Sequence, residues 1–502
     1  MSVRTKAMSY VRSGIERRAL LSWAAASGLA ARAGSIFAQP SLLARGAAGV
    51  EQVATWIIAT PRDRVLARAM REVRAGLPPA DLLGGTLVAA AREIRPNVAS
   101  FNHAALVVAA LEQLTAGLAL EQQLPLILWG IDNFEDSQEQ DRAADWKLAA
   151  PPAKLPVAAE ARAELIAALD RWDPEAADAA LVAMVSSAPL ESVCEIVTGY
   201  GMRSRGNSGH KAIYAMVAVR CLPLVSEPLA LDVLRSCVAS FLPEGEKTSV
   251  EPFDRSRELV ARGLKRRSDG TASDAGVERE VLALLREGKS AEVPQALAEV
   301  MAGKASVPTL WDAFVMMASE VALESPGIGP LHALTATNAL HCMARRARDP
   351  RIADLALLQA GAWLCEFRAT ARGSKTEKDC VHIESLAPGT FEASAPTAAE
   401  RIAQLLGDPA EFRGLAAGRV LGASRSQTGA KALAQDMLGV VRASGDSVHE
   451  FKLAAAVLEE ANGSSTRAAS SALAALAVNM PDPRRVTREN RLRVEDAIAV
   501  SR

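Results

Sequence analysis

Apolar residues recur from Val50 towards residue 480 in helix-like segments, and proline separates one segment from the next. Three successive examples are VEQVATWIIA, PRDRVLARAMREVRAGL and PADLLGGTLVAAAREI. Such segments, punctuated by proline, are typical of helices, whereas half-buried strands alternate apolar and polar residues. Alternating runs of β-branched residues are scarce. The sequence therefore predicts an all-α protein with one large multi-helical domain over residues 50–480.

The composition agrees with a large helical core and excludes some classes of partner. Alanine is abundant, aromatic residues make up only 4%, and alanine lets helices approach closely. The formal net charge of -1 excludes a strongly basic nucleic-acid-binding protein, so we expect no nucleic-acid partner. None of the six cysteines forms a C-x-x-C pair, and most stand in apolar helical runs, which predicts reduced core residues.

The ends of the chain differ from the body. Arg17 and Arg18 are followed by an apolar, small-residue stretch, and Ala38 is a suitable cleavage position. Residues 1–38 thus resemble a twin-arginine export signal, which predicts export to the periplasm. The alternative is an amphipathic N-terminal helix on a cytoplasmic protein. Residues 481–502 form a charged tail, which we expect to be peripheral. No apolar run is long enough to predict stable membrane insertion.

The positions of the histidines carry the functional argument. Four of the six head apolar helical segments, each just after a residue suited to a helix start. They are His103 after Ser100, His210 after Ser208 and Gly209, His332 after Pro330, and His449 after Ser447. The helix dipole disfavours positive charge there, so the imidazoles stay neutral and can bind a metal. Four such histidines on four helices predict convergence on one metal centre.

The stretch SVHEFKLAAAVLEE adds a lysine to this group. Ser447 and Glu450 have the spacing of a capping box, which predicts a helix start. His449 and Lys452 then share one face with apolar residues, so both point towards the interior. A charged lysine is unfavourable there. The alternative is a core histidine beside a lysine whose ammonium group reaches solvent.

The other polar residues have simpler interpretations. His341 follows His332 by nine residues, which places it on the opposite helix face and outside the site. His382 lies in a polar segment, which indicates either a surface residue or a histidine that supports the metal ligands from behind. We expect the acidic group of Asp132, Glu135 and Asp136 to cap or solvate a helix end, and the alternative is a functional carboxylate pair.

Four ordered motifs resemble one family. SFNHAALVVAALEQL, GHKAIYAMVAVR, GPLHALTATNAL and VHEFKLAAAVLEE are together similar to motifs of the questin oxidase-like family, helical enzymes of fungal polyketide pathways that open anthraquinone rings. The resemblance spans most of residues 50–465. It implies a mononuclear non-haem iron held by four histidines and a carboxylated lysine. At the matching positions these ligands are His103, His210, His332, His449 and Lys452.

The resemblance implies an oxygenase that uses O2 on an aromatic, quinone or hydroquinone-like substrate. A lysine kept neutral by burial can add CO2, and the resulting carbamate is an anionic oxygen ligand. The leader and the aromatic-poor body differ from fungal pathway enzymes, so the identity of the substrate does not transfer.

Other features of the chemistry stay open. Dependence on NADPH is not readable from the sequence, because no dinucleotide fingerprint is present. Trp129, Phe134 and Tyr214 are candidates for pocket walls or for core packing. The alternative function is a non-enzymatic helical binding or scaffold protein whose histidines are structural.

Overall fold

The computed structural model describes residues 47–96, 103–142, 145–242, 250–265, 274–303, 305–373, 380–390, 395–407, 413–484 and 489–500. These residues contain twenty-two α-helices and no strand, which confirms the predicted all-α fold. The predicted export signal at residues 1–38 lies outside the described residues, as does Ser100.

The twenty-two helices follow one another along the chain. The first eleven are α1 (Ala47–Ala59), α2 (Arg62–Arg74), α3 (Pro79–Glu93), α4 (His103–Thr115), α5 (Leu120–Asp141), α6 (Ala161–Arg171), α7 (Pro174–Ser187), α8 (Leu190–Gly201), α9 (His210–Arg220), α10 (Glu227–Ala239) and α11 (Glu251–Arg262). The remaining eleven are α12 (Ala275–Glu287), α13 (Val293–Gly303), α14 (Val307–Glu324), α15 (Ile328–Arg346), α16 (Pro350–Arg372), α17 (Ala398–Leu406), α18 (Arg413–Ala423), α19 (Gln427–Ser444), α20 (Val448–Gly463), α21 (Thr466–Asn479) and α22 (Glu489–Val500).

Short polar side chains begin several of these helices. The side-chain oxygens of Asp173, Ser306, Ser426 and Ser465 accept backbone N–H groups at the starts of α7, α14, α19 and α21. The first N–H groups of a helix lack partners within the helix, so each cap satisfies one of them. Because these caps fix where the helices begin, each side chain has a defined position along its helix axis in the core.

Four helices pack on one another in a closed ring. Helix α4 contacts α9, α9 contacts α15, α15 contacts α20, and α20 returns to α4. These are the helices that carry His103, His210, His332 and His449. The ring therefore brings four segments that are far apart in the chain to one region of the core.

The charged tail, expected to be peripheral, contains a helix that is half exposed and is anchored to the rest of the fold at a few positions. Helix α22 packs against α2 and α5, and Val494 is fully buried there. Arg493 donates hydrogen bonds to Asp132, which has no exposed surface. The tail thus helps to close one side of the helical core.

Two further findings concern the membrane and the cysteines. Among the described residues, no helix is both long enough and apolar enough to cross a membrane. Cys221, Cys237, Cys342 and Cys365 are buried, as their apolar helical context predicts. Burial raises the pKa of the Cys221 thiol to about 12, so it stays protonated at neutral pH.

Candidate metal centre

The ring of helices brings four imidazoles into a closed cycle of contacts. The ring centroids lie 5.3 Å apart for His103 and His210, 4.6 Å for His210 and His332, 5.1 Å for His332 and His449, and 4.7 Å for His449 and His103. Each imidazole therefore touches two others. The name "histidine cluster" is used below for these four side chains.

Three members of the histidine cluster have the spacing of ligands to one ion. Ligand nitrogens of His103, His210 and His449 all lie within 4.8 Å of one another. The Nε2 atoms of His103 and His210 are 3.2 Å apart. Two nitrogens bound to one metal at ~2.1 Å would be separated by about 3.0–3.4 Å for bond angles between 90° and tetrahedral. His332 falls outside the group of three, so it is the outer member of the cluster.

Backbone carbonyls fix the tautomer of two imidazoles. The Nδ1 of His210 lies 2.5 Å from the carbonyl oxygen of Asn207, and the Nδ1 of His332 lies 2.5 Å from that of Ile328. A carbonyl only accepts, so each Nδ1 is the donor and carries the proton. In the neutral ring Nε2 then holds the lone pair, as in most metal-bound histidines.

Several nitrogen atoms of the site are buried without a partner. The Nε2 atoms of His332 and His449 and the Nζ of Lys452 have no hydrogen-bond partner among the described residues. Buried polar atoms are almost always hydrogen-bonded, and each exception calls for an explanation such as a missing ion or water. Three unpartnered nitrogens among the side chains of this site are compatible with a bound ion.

Burial and like charge hold the four imidazoles of the site in their neutral form. Burial lowers the pKa of Lys452 to about 7. Burial, followed by the positive charge of Lys452, lowers the pKa of His210 and of His449 to about 3 and holds those of His103 and His332 well below the usual value. Neutral imidazoles are the form that binds metals.

His210 is positioned by a left-handed turn that the sequence analysis did not identify. Asn207, Ser208 and Gly209 have φ values of 59°, 55° and 79°. This region is unfavourable for most residues, and Asn and Gly tolerate it best. The turn aims the carbonyl of Asn207 at His210. The triplet Asn-Ser-Gly was the available signal, but it indicated only a helix start.

The start of α20 places His449 and Lys452. Ser447 caps the helix by accepting the backbone N–H of His449 at 3.3 Å, as predicted. Glu450 accepts the backbone N–H of Asp446 at 2.9 Å, one residue further back than a capping box requires. The lysine is buried, with 5% of its surface exposed, and does not reach solvent. His449 and Lys452 therefore enter the core from one helix face.

The helix that carries His332 begins earlier than expected. Helix α15 starts at Ile328, so Pro330 is its third residue and His332 its fifth. His332 thus lies in the second turn and not in the first. The earlier start supplies the carbonyl of Ile328, one turn before His332, as the partner of its Nδ1.

The remaining two histidines lie outside the cluster. His341 binds Glu460 through Nδ1 at 2.9 Å, and Glu460 belongs to α20, the helix that also carries His449. The expectation of an opposite face is therefore incomplete, because both histidines of α15 contact the same neighbouring helix. His382 is half-buried and lies just before a short 3-10 turn.

The acidic group has a structural role different from the one expected. Asp132, Glu135 and Asp136 lie inside α5 and not at its end, so the capping interpretation is wrong. Arg62 and Arg493 pair with the fully buried Asp132 at 3.3 and 2.8 Å. Burial raises the pKa of Glu135 to about 7. The group joins α5 to α2 and α22.

The three aromatic candidates pack in the core. Trp129, Phe134 and Tyr214 are almost fully buried. The Tyr214 hydroxyl is 2.9 Å from Ser236 Oγ, and Trp129 makes an edge contact with Phe451 at 4.7 Å. These contacts support the core-packing alternative.

Comparisons with protein-family models, curated proteins and solved structures find no match for this chain.

Proposed function

We propose that this chain is a metal-dependent oxygenase that holds a non-haem iron in the histidine cluster. Its substrate would be an aromatic, quinone or hydroquinone-like molecule, oxidised with O2 and with ring cleavage as the outcome that the questin oxidase-like resemblance implies. The observation that carries the proposal is the meeting of four histidines from four helices, three of them with ligand nitrogens within 4.8 Å of one another.

The residues of this site fit a metal. His103, His210 and His449 would supply the central ligands, and His332 and Lys452 would complete the set. The orphaned Nε2 atoms of His332 and His449 support this assignment, because a hydrogen-bonded structural cluster would leave none. Bound iron(II) with nitrogen ligands and one anionic oxygen ligand supplies dioxygen chemistry. The chain itself contributes fixed tautomers, a rigid ligand arrangement and exclusion of water.

Lys452 would enter the ligand set as a carbamate. Its amine is buried, and burial lowers its pKa to about 7, so a large fraction is neutral near neutral pH. The neutral amine adds to CO2, a proton is released, and a carbamate with one negative charge forms. Without that step, an ammonium group beside a metal would be both repelled and poorly solvated.

The export signal proposed at residues 1–38 fits this function. The twin-arginine route carries folded proteins, so a metal bound in the cytoplasm can be retained during export. We expect the parent in the periplasmic fraction, and a variant with both Arg17→Lys and Arg18→Lys in the cytoplasm. If the parent and the variant are distributed in the same way between the periplasmic and cytoplasmic fractions, the leader has another role.

Metal analysis of protein purified without an affinity tag tests the proposed site. We expect about one iron per chain in the parent and loss of most of it in His103→Ala, His210→Ala and His449→Ala. His332→Ala should lose the least of the four, because His332 is the outer member of the cluster. His382→Ala and His341→Asn are controls that should match the parent.

Oxygen uptake separates the enzyme from a metal-stabilised scaffold. We expect O2 consumption when hydroquinone is added to iron-loaded protein, and none with protein in which His449 is replaced. Iron binding without oxygen uptake for any hydroquinone tested would favour the scaffold alternative. Metal-free parent protein that stays metal-free after incubation with iron(II) would remove the basis of the proposal.

A further inference from the structure

A second polar group lies beside a cavity of about 640 Å³ that is separate from the histidine cluster. Its walls come from α14, α15, α16 and the connection between α20 and α21. His341 lines this cavity and follows His332 by nine residues on α15. At ~1.5 Å of rise per residue the two histidines lie about 14 Å apart along the helix axis.

Glu460 fixes the orientation of His341. The Nδ1 of His341 donates to Glu460 Oε2 at 2.9 Å. The buried carboxylate also accepts hydrogen bonds from Asn338 at 2.8 Å and Ser464 at 3.1 Å. Trp311 stacks on the imidazole with centroids 4.3 Å apart and ring planes at 12°. With its Nδ1 and one face occupied, the ring has one orientation.

The Nε2 of His341 is the atom left for a ligand. No described residue is hydrogen-bonded to it, whereas both hydrogen-bond contacts of this ring with Glu460 use Nδ1. In the neutral imidazole a proton on Nδ1 leaves the lone pair on Nε2. The anionic carboxylate behind the ring makes that lone pair a stronger acceptor. The cavity therefore contains an oriented acceptor.

The geometry points to a second ligand site in this cavity, which takes an uncharged aromatic molecule with a hydroxyl group. In it the ligand hydroxyl donates to His341 Nε2, and the ring of the ligand lies against the apolar walls. This inference stands apart from the metal centre, because none of the proposed metal ligands lines the cavity.

The charges at the walls favour an uncharged ligand. Asp312 lines the cavity, and its Oδ1 accepts the backbone N–H of Ser465 at 2.9 Å. Arg345 also lines it and pairs with Glu459 at 2.9 Å. Because a carboxylate and a guanidinium line the same cavity, the cavity favours the binding of neither an anionic nor a cationic ligand.

The rest of the lining favours an aromatic ring. Val307, Pro308 and Leu357 present hydrocarbon surface to the cavity. A volume of about 640 Å³ lies within the usual range of small-molecule pockets, which are mostly apolar with a few polar groups. A phenolic hydroxyl is a better donor than an aliphatic one, since its pKa is only about 10. Phenol is therefore the simplest probe.

Calorimetric titration with phenol and toluene tests the site. The two probes have nearly the same shape and differ in the hydroxyl. We expect phenol to bind roughly five- to tenfold more tightly than toluene, as one net hydrogen bond allows. Benzoate and benzylamine, which carry charge, should bind more weakly than phenol.

His341→Asn provides a selective variant. The asparagine amide can replace Nδ1 as the donor to Glu460, but it lacks the acceptor at Nε2. This variant should bind phenol and toluene equally. Ala353→Phe fills the cavity from α16 and should abolish binding of both probes while leaving the His341–Glu460 pair intact.

Crystals of the parent soaked in 4-bromophenol locate the ligand without any variant. We expect an anomalous bromine peak in the cavity, with the hydroxyl within hydrogen-bond distance of His341 Nε2. Protein stripped of metal should show the same peak, so this result is independent of the proposed oxygenase. Equal affinity for phenol and toluene in the parent, or the absence of a bromine peak from the cavity, would overturn the inference.

Discussion

Trp129 donates its indole N–H to Asp446 Oδ1 at 2.6 Å, although 317 residues separate them in the chain. Asp446 directly precedes Ser447, the cap of α20. Trp129 also contacts Phe451 in the first turn of that helix, at 4.7 Å between ring centroids. A buried tryptophan of α5 therefore fixes the start of the helix that carries His449 and Lys452.

Trp129→Phe should loosen this start. The variant removes a hydrogen bond to a carboxylate, and we expect a loss of roughly 1–3 kcal/mol in the free energy of unfolding. Metal affinity should fall as well, because His449 and Lys452 are less well held. Trp56→Phe is the control, since Trp56 is also buried but lies in α1. Denaturant unfolding and metal titration check both; equal metal affinity in the two variants would contradict a positioning role.

Gly209→Ala tests the left-handed turn before His210. The substitution places a side chain at φ 79°, and its Cβ would meet the Cβ of Ala336 at 2.8 Å. We expect a loss of at least about 1 kcal/mol in stability and a weaker metal site, because the turn must shift. Gly117→Ala is matched in backbone conformation, at φ 73°, but its Cβ would have no neighbour within 4 Å.

Gly117→Ala should therefore lose stability through backbone strain alone and keep its metal. Metal titration of the two alanine variants separates strain from displacement of His210. If both variants bind metal like the parent, the turn does not position His210.

Lys452→Ala tests the carbamate. The variant should lose metal or oxygen consumption, and added short-chain carboxylic acids should restore part of it by filling the vacated position. Lys452→Glu should recover only a small part of the metal binding or oxygen consumption lost in Lys452→Ala, because the glutamate side chain is shorter than the carbamate. Full metal content and full oxygen uptake in Lys452→Ala would make the lysine a bystander.

Glu460 gives the metal-free protein an acid-sensitive contribution to stability. Burial alone would raise its pKa, but the charge and hydrogen bond of His341, with Arg345 and Asn338, lower it from 4.5 to about 2. The unfolded chain then binds more protons than the folded one between about pH 4.5 and 2. This stabilisation is complete above the unfolded pKa and is lost as the pH falls through the folded one.

Denaturant unfolding across that range should show a shallower acid loss in Glu460→Gln than in the parent. The difference should be on the order of 2 kcal/mol between the ends of the range. Glu51→Gln is the control: Arg92 also lowers the pKa of the Glu51 carboxyl, but this side chain is 43% exposed, so its ion pair is more strongly screened. Identical acid profiles for parent and Glu460→Gln would contradict the assignment.

The sequence allowed the helical fold and the meeting of the histidines to be predicted, since both follow from local patterns. Apolar periodicity identified the helices, and the helix starts identified the positions of His103, His210 and His449 along their helix axes. The position of His332 in the second turn of its helix could not be predicted, because α15 begins at Ile328, before the proline that looked like its start. The contacts of Trp129, and the contact of Glu460 with His341, could not be predicted either. They depend on how helices distant in sequence pack together.

The surroundings of the charged tail also could not be predicted from local sequence patterns. Its charge indicated a solvated segment, but Arg493 has a buried partner in Asp132 and Val494 is enclosed. A charged side chain indicates an exposed position only where the core offers no residue of opposite charge to pair with it. The acidic residues of α5 were misread for the same reason, since Arg62 and Arg493 that bind them lie far away in sequence.

Anomalous diffraction at the iron absorption edge, from crystals of untagged protein, would show whether the histidine cluster holds iron. We expect one peak inside the cluster, at about 2.0–2.3 Å from Nε2 of His103, His210 and His449. We also expect electron density for a carbamate that extends Lys452 towards that peak. Four imidazoles that pack around water or each other, with no anomalous peak after incubation with iron(II), would contradict the proposed metal centre.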